Sequence, residues 1–367
     1  MPSLFDPIAI GALEAPNRIF MAPLTRARAN RAHVPTAIMA EYYAQRASAG
    51  LIISEATSIS RQGMGWPYAP GLWTGEQVEG WKPVTEAVHR AGGRIFAQLW
   101  HMGRLVHPDF LDGEAPVSSS ATTAPAHAHT YAGKQPYMGA RALRLDEIPA
   151  LLDDYARGAR NALAAGFDGV QVHAANGYLI DQFLRDGTNR RDDAYGGPIE
   201  NRIRLLAEVT RAVSDTVGAG RTAVRVSPNG DRQGVNDSDP EPLFTAVAKC
   251  LSDIGIAFLE VREPGFDGTF GKAERPPIAP SIRAAFGGPL VLNSDYRGDT
   301  ARAALDAGKA DAITFGRMFL ANPDLPARIA EGLPLAQDDP TTWYSQGGQG
   351  YTDYPAAPAR CRINDPI

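Results

Sequence analysis

AAGFDGVQVHAANGYLIDQFLR (residues 164–185) opens as the end of a helix, turns at Gly166 and runs into a short apolar stretch over residues 167–172. Glycine is the usual residue just past a helix end, because it tolerates positive φ. A short apolar run bounded by glycine suits a strand buried on both faces of a parallel sheet. The same pattern recurs in ASAGLIISEA (47–56), AGGRIFAQLW (91–100), DIGIAFLEV (253–261) and FGGPLVLN (286–293). RTAVRVSP (221–228) and ADAITFGR (310–317) fit more loosely, and RIFMAPLT (18–25) supplies a first strand.

The intervening segments carry a helical period. In DEIPALLDDYARGARNALAAG (146–166), apolar or small residues fall at Ile148, Leu151, Leu152, Tyr155, Ala159, Ala162 and Leu163. That spacing gives one buried face. ENRIRLLAEVTRAVSDTV (200–217) reads the same way. Eight alternating units predict an α/β fold, a (β/α)8 TIM barrel forming a single domain over residues 1–367. A doubly wound sheet would usually carry G-x-G-x-x-G after an early strand, and none is present. LFDPIAIGALEAPNR (4–18) is expected to form an N-terminal hairpin capping the barrel bottom. Residues 103–145, rich in Pro, Ser, Ala and His, are too long for an ordinary loop and read as a lid or insertion after strand three. Residues 340–367 form a C-terminal segment outside the repeat.

Composition narrows the function. The chain has 367 residues and a formal net charge of -5 with no basic block, which argues against nucleic acid as a partner. Two cysteines, Cys250 and Cys361, exclude a disulfide framework, a multi-cysteine zinc site and a four-cysteine iron–sulfur cluster supplied by this chain. No apolar run approaches the roughly 18 residues needed to span a bilayer, and the N-terminus lacks a signal-peptide pattern. A cytoplasmic protein with no membrane association is the expectation.

In such a barrel the active site lies at the C-terminal ends of the strands. Those ends deliver Thr25, Glu55, Ala56, Gln98, Trp100, His101, His173, Asn176, Tyr178, Arg225, Asn293, Ser294, Asp295, Gly316 and Arg317. Cations, amides and a phenol dominate. A metal site would want clustered His, Asp, Glu or Cys, so no metal is expected. A glycosidase would want two facing carboxylates, and Glu55 with Glu260 is the available pair. Loops after strands seven and eight are the usual phosphate cradle, which fits Arg317 beside Gly316. Arg225 inside a strand needs an anion or acceptor to offset its desolvation. The sum is a large phosphorylated cofactor across the barrel mouth. Each residue also has a plain structural reading, as core aromatic, satisfied histidine or internal ion pair; their joint placement at strand ends favours function.

The motifs LFDPIAIG (4–11), NRIFMAPLTRAR (17–28), EATSIS (55–60), QLWHMGR (98–104), HAANGYLIDQFLRDGTNRRDDAYGGPIENR (173–202), RVSPNGD (225–231), FGRMFLANPDLPAR (315–328) and GYTDYP (350–355) carry a resemblance. The chain resembles an Old Yellow Enzyme-type flavin oxidoreductase over nearly its whole length. Thr25 matches the branch with Thr at this position, rather than the thermophile-type branch with Cys. The resemblance implies non-covalent FMN at the mouth and NAD(P)H as reductant, with ping-pong kinetics and a small activated alkene as substrate. It implies that Pro23, Leu24 and Thr25 pass along the isoalloxazine, and that Ala56 and Gln98 bond its pyrimidine edge. Arg225 would sit near N1 and O2, and Ser294, Asp295, Gly316 and Arg317 would hold the phosphate. His173 and Asn176 would donate to the substrate oxygen, where many relatives carry a second His in place of Asn176. Tyr178 would give a proton to the α-carbon; a phenol, with an ordinary pKa of about 10, is protonated at neutral pH. Trp66, Trp100 and Tyr344 would line the substrate pocket. The other readings are a nitroester or nitroaromatic reductase, a non-catalytic flavin redox sensor and a flavin-free phosphate-binding isomerase. A monomer or homodimer is expected.

Overall fold

The computed structural model describes residues 2–230, 233–269, 271–273 and 275–357. Cys361, and residues 358–367 of the expected C-terminal segment, lie outside the described residues. Eight parallel strands close into a barrel in sequence order. They are β1 (Ile19–Met21), β2 (Ile52–Ser58), β3 (Ile95–Trp100), β4 (Gly169–Ala174), β5 (Thr222–Val226), β6 (Phe258–Arg262), β7 (Leu290–Asn293) and β8 (Ala312–Phe315). Every residue of these strands is buried, as the apolar runs require of strands covered by helices on one side and a filled barrel on the other. The eight predicted strands are all present, and the barrel expectation holds.

Alternation along the strands stacks the interior in layers. The lowest layer is apolar: Phe20, Ile53, Phe96, Ala223, Phe258, Val291 and Ala312. Phe258 packs against Phe20 at 6.2 Å and Phe96 at 6.0 Å between ring centroids. Truncating one of these buried rings to alanine would cost about 3–5 kcal/mol. Two residues further along several strands the layer is polar, with Gln98, Gln171, Arg225, Glu260, Asn293 and Thr314. The period of two that places phenylalanines in the floor therefore places amides and charges directly above it.

The N-terminal hairpin, Ile8–Ile10 paired with Leu13–Ala15, packs Ile8, Ile10 and Ala15 under that floor. Its turn residue Gly11 has φ 61°, and a Cβ there would lie 2.2 Å from the Gly220 carbonyl oxygen. Only glycine fits so close to the start of β5. The helix Ile148–Ala164 buries Ile148, Leu151, Tyr155, Ala159 and Ala162, while Leu152 and Leu163 are half-buried at the edge of the same stripe. Gly166, φ 89°, ends it as expected.

The insertion is more ordered than a loop. It contains the hairpin His127–Thr130 with Gly133–Pro136 and a small parallel pair, Val117–Ser118 with Arg141–Ala142. Its own apolar cluster includes Met102, Leu105, Val106 and Phe110. His129 of the hairpin stacks on Trp66 at 4.4 Å, and Trp66 meets Tyr344 of the C-terminal segment at 5.0 Å. Insertion and C-terminal segment thus meet over the barrel mouth. Among the described residues, no helix is long and apolar enough to cross a membrane.

Candidate active site

A cavity of 620 Å³ opens above the polar layer. Pro23, Leu24 and Thr25 after β1, Ala56 of β2, Gln98 of β3 and Arg225 of β5 line one part of it. His173, Asn176 and Tyr178 stand at the end of β4, with Trp66 and Tyr344 across from the barrel. Ser294, Asp295, Gly316 and Arg317 line the far end.

Trp100 departs from the expectation. It is 1% exposed and packs edge-on against Tyr178 at 5.1 Å, within the apolar cluster of the insertion. The insertion covers it, so it buttresses Tyr178 from behind instead of lining the pocket. The Glu55 and Glu260 pair does not form either. Between Ile53 and Ala56, β2 holds one residue more than β3 has opposite. This bulge turns Ala56 to the cavity and Glu55 toward Tyr43 and the backbone N–H groups of Arg26 and Ala27. Glu55 is bonded away from the cavity and Glu260 is bonded to Gln171, Arg225 and Thr314, so these two do not face each other as a glycosidase pair would. Among the described residues no cluster could hold a metal ion.

The turn after β4 is built from behind. Asn176 and Gly177 both have positive φ, 58° and 81°. The Asn176 N–H donates to Ser227 Oγ at 2.8 Å, and the Gly177 N–H to Asp181 Oδ2 at 2.9 Å. Asp181, wholly buried, also accepts from Arg185 Nε at 2.8 Å, and Arg185 donates onward to the carbonyls of Ser227 and Pro228. The segment YLIDQFLR therefore carries its own brace. His173 is held well below its ordinary pKa by burial, then by the charges of Arg225 and Arg262, so its imidazole is neutral. Its Nδ1 accepts from the Ala175 N–H at 3.4 Å, which leaves the proton on Nε2. The Asn176 amide is oriented by Arg262 Nη1, which donates to Oδ1 at 3.3 Å and leaves Nδ2 as the free donor end. Tyr178 stands edge-on to the His173 ring at 4.8 Å.

A relay of hydrogen bonds fills the polar layer. Gln98 Nε2 donates to Gln171 Oε1 (2.8 Å), and Gln171 Nε2 donates to Glu260 Oε2 (2.7 Å). Glu260 Oε1 accepts from Arg225 Nε (3.1 Å) and Thr314 Oγ1 (2.9 Å). Arg225 Nη2 donates to Asn293 Oδ1 at 2.8 Å. Glu260 supplies the acceptor that Arg225 needs. Arg225 Nη1 has no partner among the described residues, on a side chain that lines the cavity.

At the far end, Ser294 and Asp295 both have positive φ, 121° and 50°. The Asp295 carboxylate is occupied by the Thr269 N–H (3.1 Å), the Thr269 hydroxyl and Arg317 Nη2 (3.0 Å). The backbone N–H groups of Asp295, Gly316 and Arg317 have no acceptor among the described residues. Arg317 and those amides suit a phosphate, and Asp295 would serve through its N–H. An apolar wall, an amide with both polarities, a guanidinium with a spare donor and this anion-ready end together match FMN.

Sequence reasoning missed several contributors. Arg262 lies one residue beyond the strand read as ending at Val261. Ser227 and Gln171 act through contacts between strands that no local pattern reveals, and Asp181 acts through a brace within its own segment. Trp343 and Thr269 also line the cavity from segments without periodicity.

A family of NADH:flavin oxidoreductases and NADH oxidases matches residues 3–336. The chain belongs to this family. An Old Yellow Enzyme homologue from Zymomonas mobilis is 65% identical, with a TM-score of 0.95 over 96% of this chain and 99% of that one. Morphinone reductase in complex with tetrahydroNAD is 45% identical, with a TM-score of 0.93 over 98% of this chain and 99% of that one. A probable flavin mononucleotide-dependent alkene reductase of Leishmania infantum is 43% identical over 96% of this chain and 97% of its own. The protein is thus an NAD(P)H-dependent flavin oxidoreductase of the Old Yellow Enzyme, or ene-reductase, group, with FMN as cofactor.

Proposed function

We propose that the protein reduces the activated C=C bond of α,β-unsaturated aldehydes, ketones, imides or nitroalkenes. The observation that carries this is the convergence of His173, Asn176 and Tyr178 on one wall of the cavity, with the donor ends of His173 and Asn176 oriented by hydrogen bonds and the Tyr178 ring packed against His173 and Trp100. His173 Nε2–H and Asn176 Nδ2–H donate to the carbonyl or nitro oxygen of the substrate. That withdraws electron density from the double bond and makes the β-carbon electrophilic, as oxyanion donors do. FMN, when bound, supplies the hydride that the β-carbon accepts. Tyr178 then delivers its phenolic proton to the α-carbon, which completes addition of two hydrogens across the bond. Pro23, Leu24 and Thr25, with Ala56 and Gln98, would form the isoalloxazine bed. Arg225 would face its pyrimidine edge as a counter-charge, and Ser294, Asp295, Gly316 and Arg317 would take the phosphate. Trp66 and Tyr344 would exclude water from the substrate side.

The test is the visible spectrum of purified protein under anaerobic conditions. The yellow flavin band should bleach on adding NADPH and return on adding 2-cyclohexenone. Bleaching without return on any enone or nitroalkene would overturn the alkene reading. A nitroester or nitroaromatic reductase is the second reading, since the same oxygen donors serve it without the Tyr178 proton.

A further inference from the structure

One wall of the cavity does not belong to the barrel. Trp343 and Tyr344 come from a strap, residues 340–351, that contains one short 3-10 helix, Pro340–Thr342, followed by turns, and pairs with no strand. Its main chain is instead held by two arginines that follow Thr25. Arg26 donates through Nε to the Trp343 carbonyl (3.1 Å) and through Nη2 to the Gly350 carbonyl (2.7 Å). Arg28 donates to the carbonyls of Thr342 (3.1 Å), Trp343 (2.8 Å), Gly347 (3.3 Å) and Gln349 (3.3 Å), and to Ser345 Oγ (3.0 Å). Five carbonyls of the strap end on these two side chains.

Both guanidiniums are buried, and neither forms an ion pair among the described residues. The carboxylate beside them, Glu55, meets Arg26 through the Arg26 backbone N–H. Burying two like charges side by side is costly unless every N–H finds an acceptor. Burial, then the charge of Arg26, lowers the Arg28 pKa to about 10. The offset comes from the strap carbonyls and from aromatic faces. Tyr42 and Tyr351 stack at 4.0 Å, with Arg28 4.5 Å from the Tyr351 centroid. Removing the strap would leave two desolvated cations; removing the cations would leave a loop with no other main-chain anchor of comparable number. The two hold each other.

We propose that Arg28 is a specificity-determining positioning residue, which sets the size of substrate admitted by locking residues 342–350 and with them the Trp343–Tyr344 wall. It touches neither the cavity nor the reacting atoms. This rests on the alkene reading only for its kinetic arm. Two variants test it in FMN-loaded protein. Arg28→Met removes the donors. Gly350→Ala disturbs the strap without removing a charge, because Gly350 has φ 62° and its Cβ would lie 1.9 Å from Thr342 Oγ1.

Hydrogen exchange at residues 342–350 should rise roughly tenfold in each variant. The ratio of KM for the bulky enone carvone to KM for 2-cyclohexenone should fall about fivefold, with kcat on 2-cyclohexenone held. A merely structural defect would raise both KM values together and leave the ratio unchanged. Unchanged exchange, or an unchanged ratio in variants that retain FMN, overturns the proposal. A wild-type enzyme that bleaches with NADPH but ignores every alkene overturns the function reading instead, and exchange alone then decides the strap.

Discussion

Glu260 decides which way the amides of the polar layer face. A carboxylate can only accept, so Gln171 must turn its Nε2 toward it and its Oε1 toward Gln98. Gln98 then spends one N–H inward and presents its oxygen and remaining N–H to the cavity. That mixed edge suits the FMN pyrimidine, whose N3–H donor is flanked by carbonyl acceptors. Glu260→Gln reverses the logic. To keep its bonds from Arg225 and Thr314, the new amide oxygen must occupy the Oε1 position, and its nitrogen then faces Gln171 Nε2 across 2.7 Å. Gln171 flips to relieve the clash, Gln98 flips in turn, and the cavity now meets two N–H groups and no acceptor. The opposite placement sets the new nitrogen against the Arg225 guanidinium, which is worse. One wrongly matched buried group costs about 1–3 kcal/mol, which is roughly a 5- to 150-fold loss of FMN affinity. The assay is titration of deflavinated protein with oxidised FMN, read by flavin fluorescence. The oxidised ring is uncharged, so the lost counter-charge of Arg225 contributes little. Thr314→Val, which removes a bond to Glu260 without reversing any polarity, should bind nearly as wild type. A folded Glu260→Gln protein within about twofold of wild type would refute the relay.

Tyr178→Phe should lower alkene turnover by about a hundred- to ten-thousand-fold while NADPH still bleaches the flavin at the wild-type rate; equal alkene turnover would remove Tyr178 as the proton donor. Ser227→Ala leaves the part-buried Asn176 N–H without its acceptor, on a residue already at positive φ. KM for 2-cyclohexenone should rise about fivefold, from a loss of order 1 kcal/mol, with FMN affinity unchanged; loss of both together would mean general disruption. Glu55 is raised from 4.5 to about 7, chiefly by burial and against the pull of the Arg26 and Ala27 N–H groups. A raised carboxyl contributes stability below its unfolded value that is lost as pH rises through about 7. Glu55→Gln keeps the acceptor without the charge. It should therefore gain on wild type by roughly 3 kcal/mol above that pH, or about 4 °C in Tm, and by little near pH 4.5. A Tm difference that is flat with pH would contradict this.

The barrel was legible because most strands announce themselves locally, as a glycine-bounded apolar run after a helix. The residues at the strand ends were legible for the same reason, once the fold fixed which end matters. Errors arose where local pattern and three-dimensional cover diverge. Trp100 has the alternation of an inward residue, but the insertion folds over it and leaves Tyr178 in front. Glu55 and Ala56 read as equal candidates because a one-residue bulge leaves no mark in composition. Gln171 and Glu260 read as polar residues inside strands, with no hint that they join Gln98 to Arg225. Arg26 and Arg28 belonged to a recognised motif, yet their partners lie more than 300 residues away in the chain.

The phenylalanine floor, sealed from below by the N-terminal hairpin, makes the barrel axis a dead end. With the flavin seated in the cavity as proposed, nothing could leave it through the bottom, so reductant and oxidant would queue at one doorway beneath Trp66 and Tyr344. Each visitor that lingers delays the next. Rates should consequently fall when either NAD(P)H or alkene is supplied in large excess over the other, each acting as a blocker of the half-cycle that is not its own.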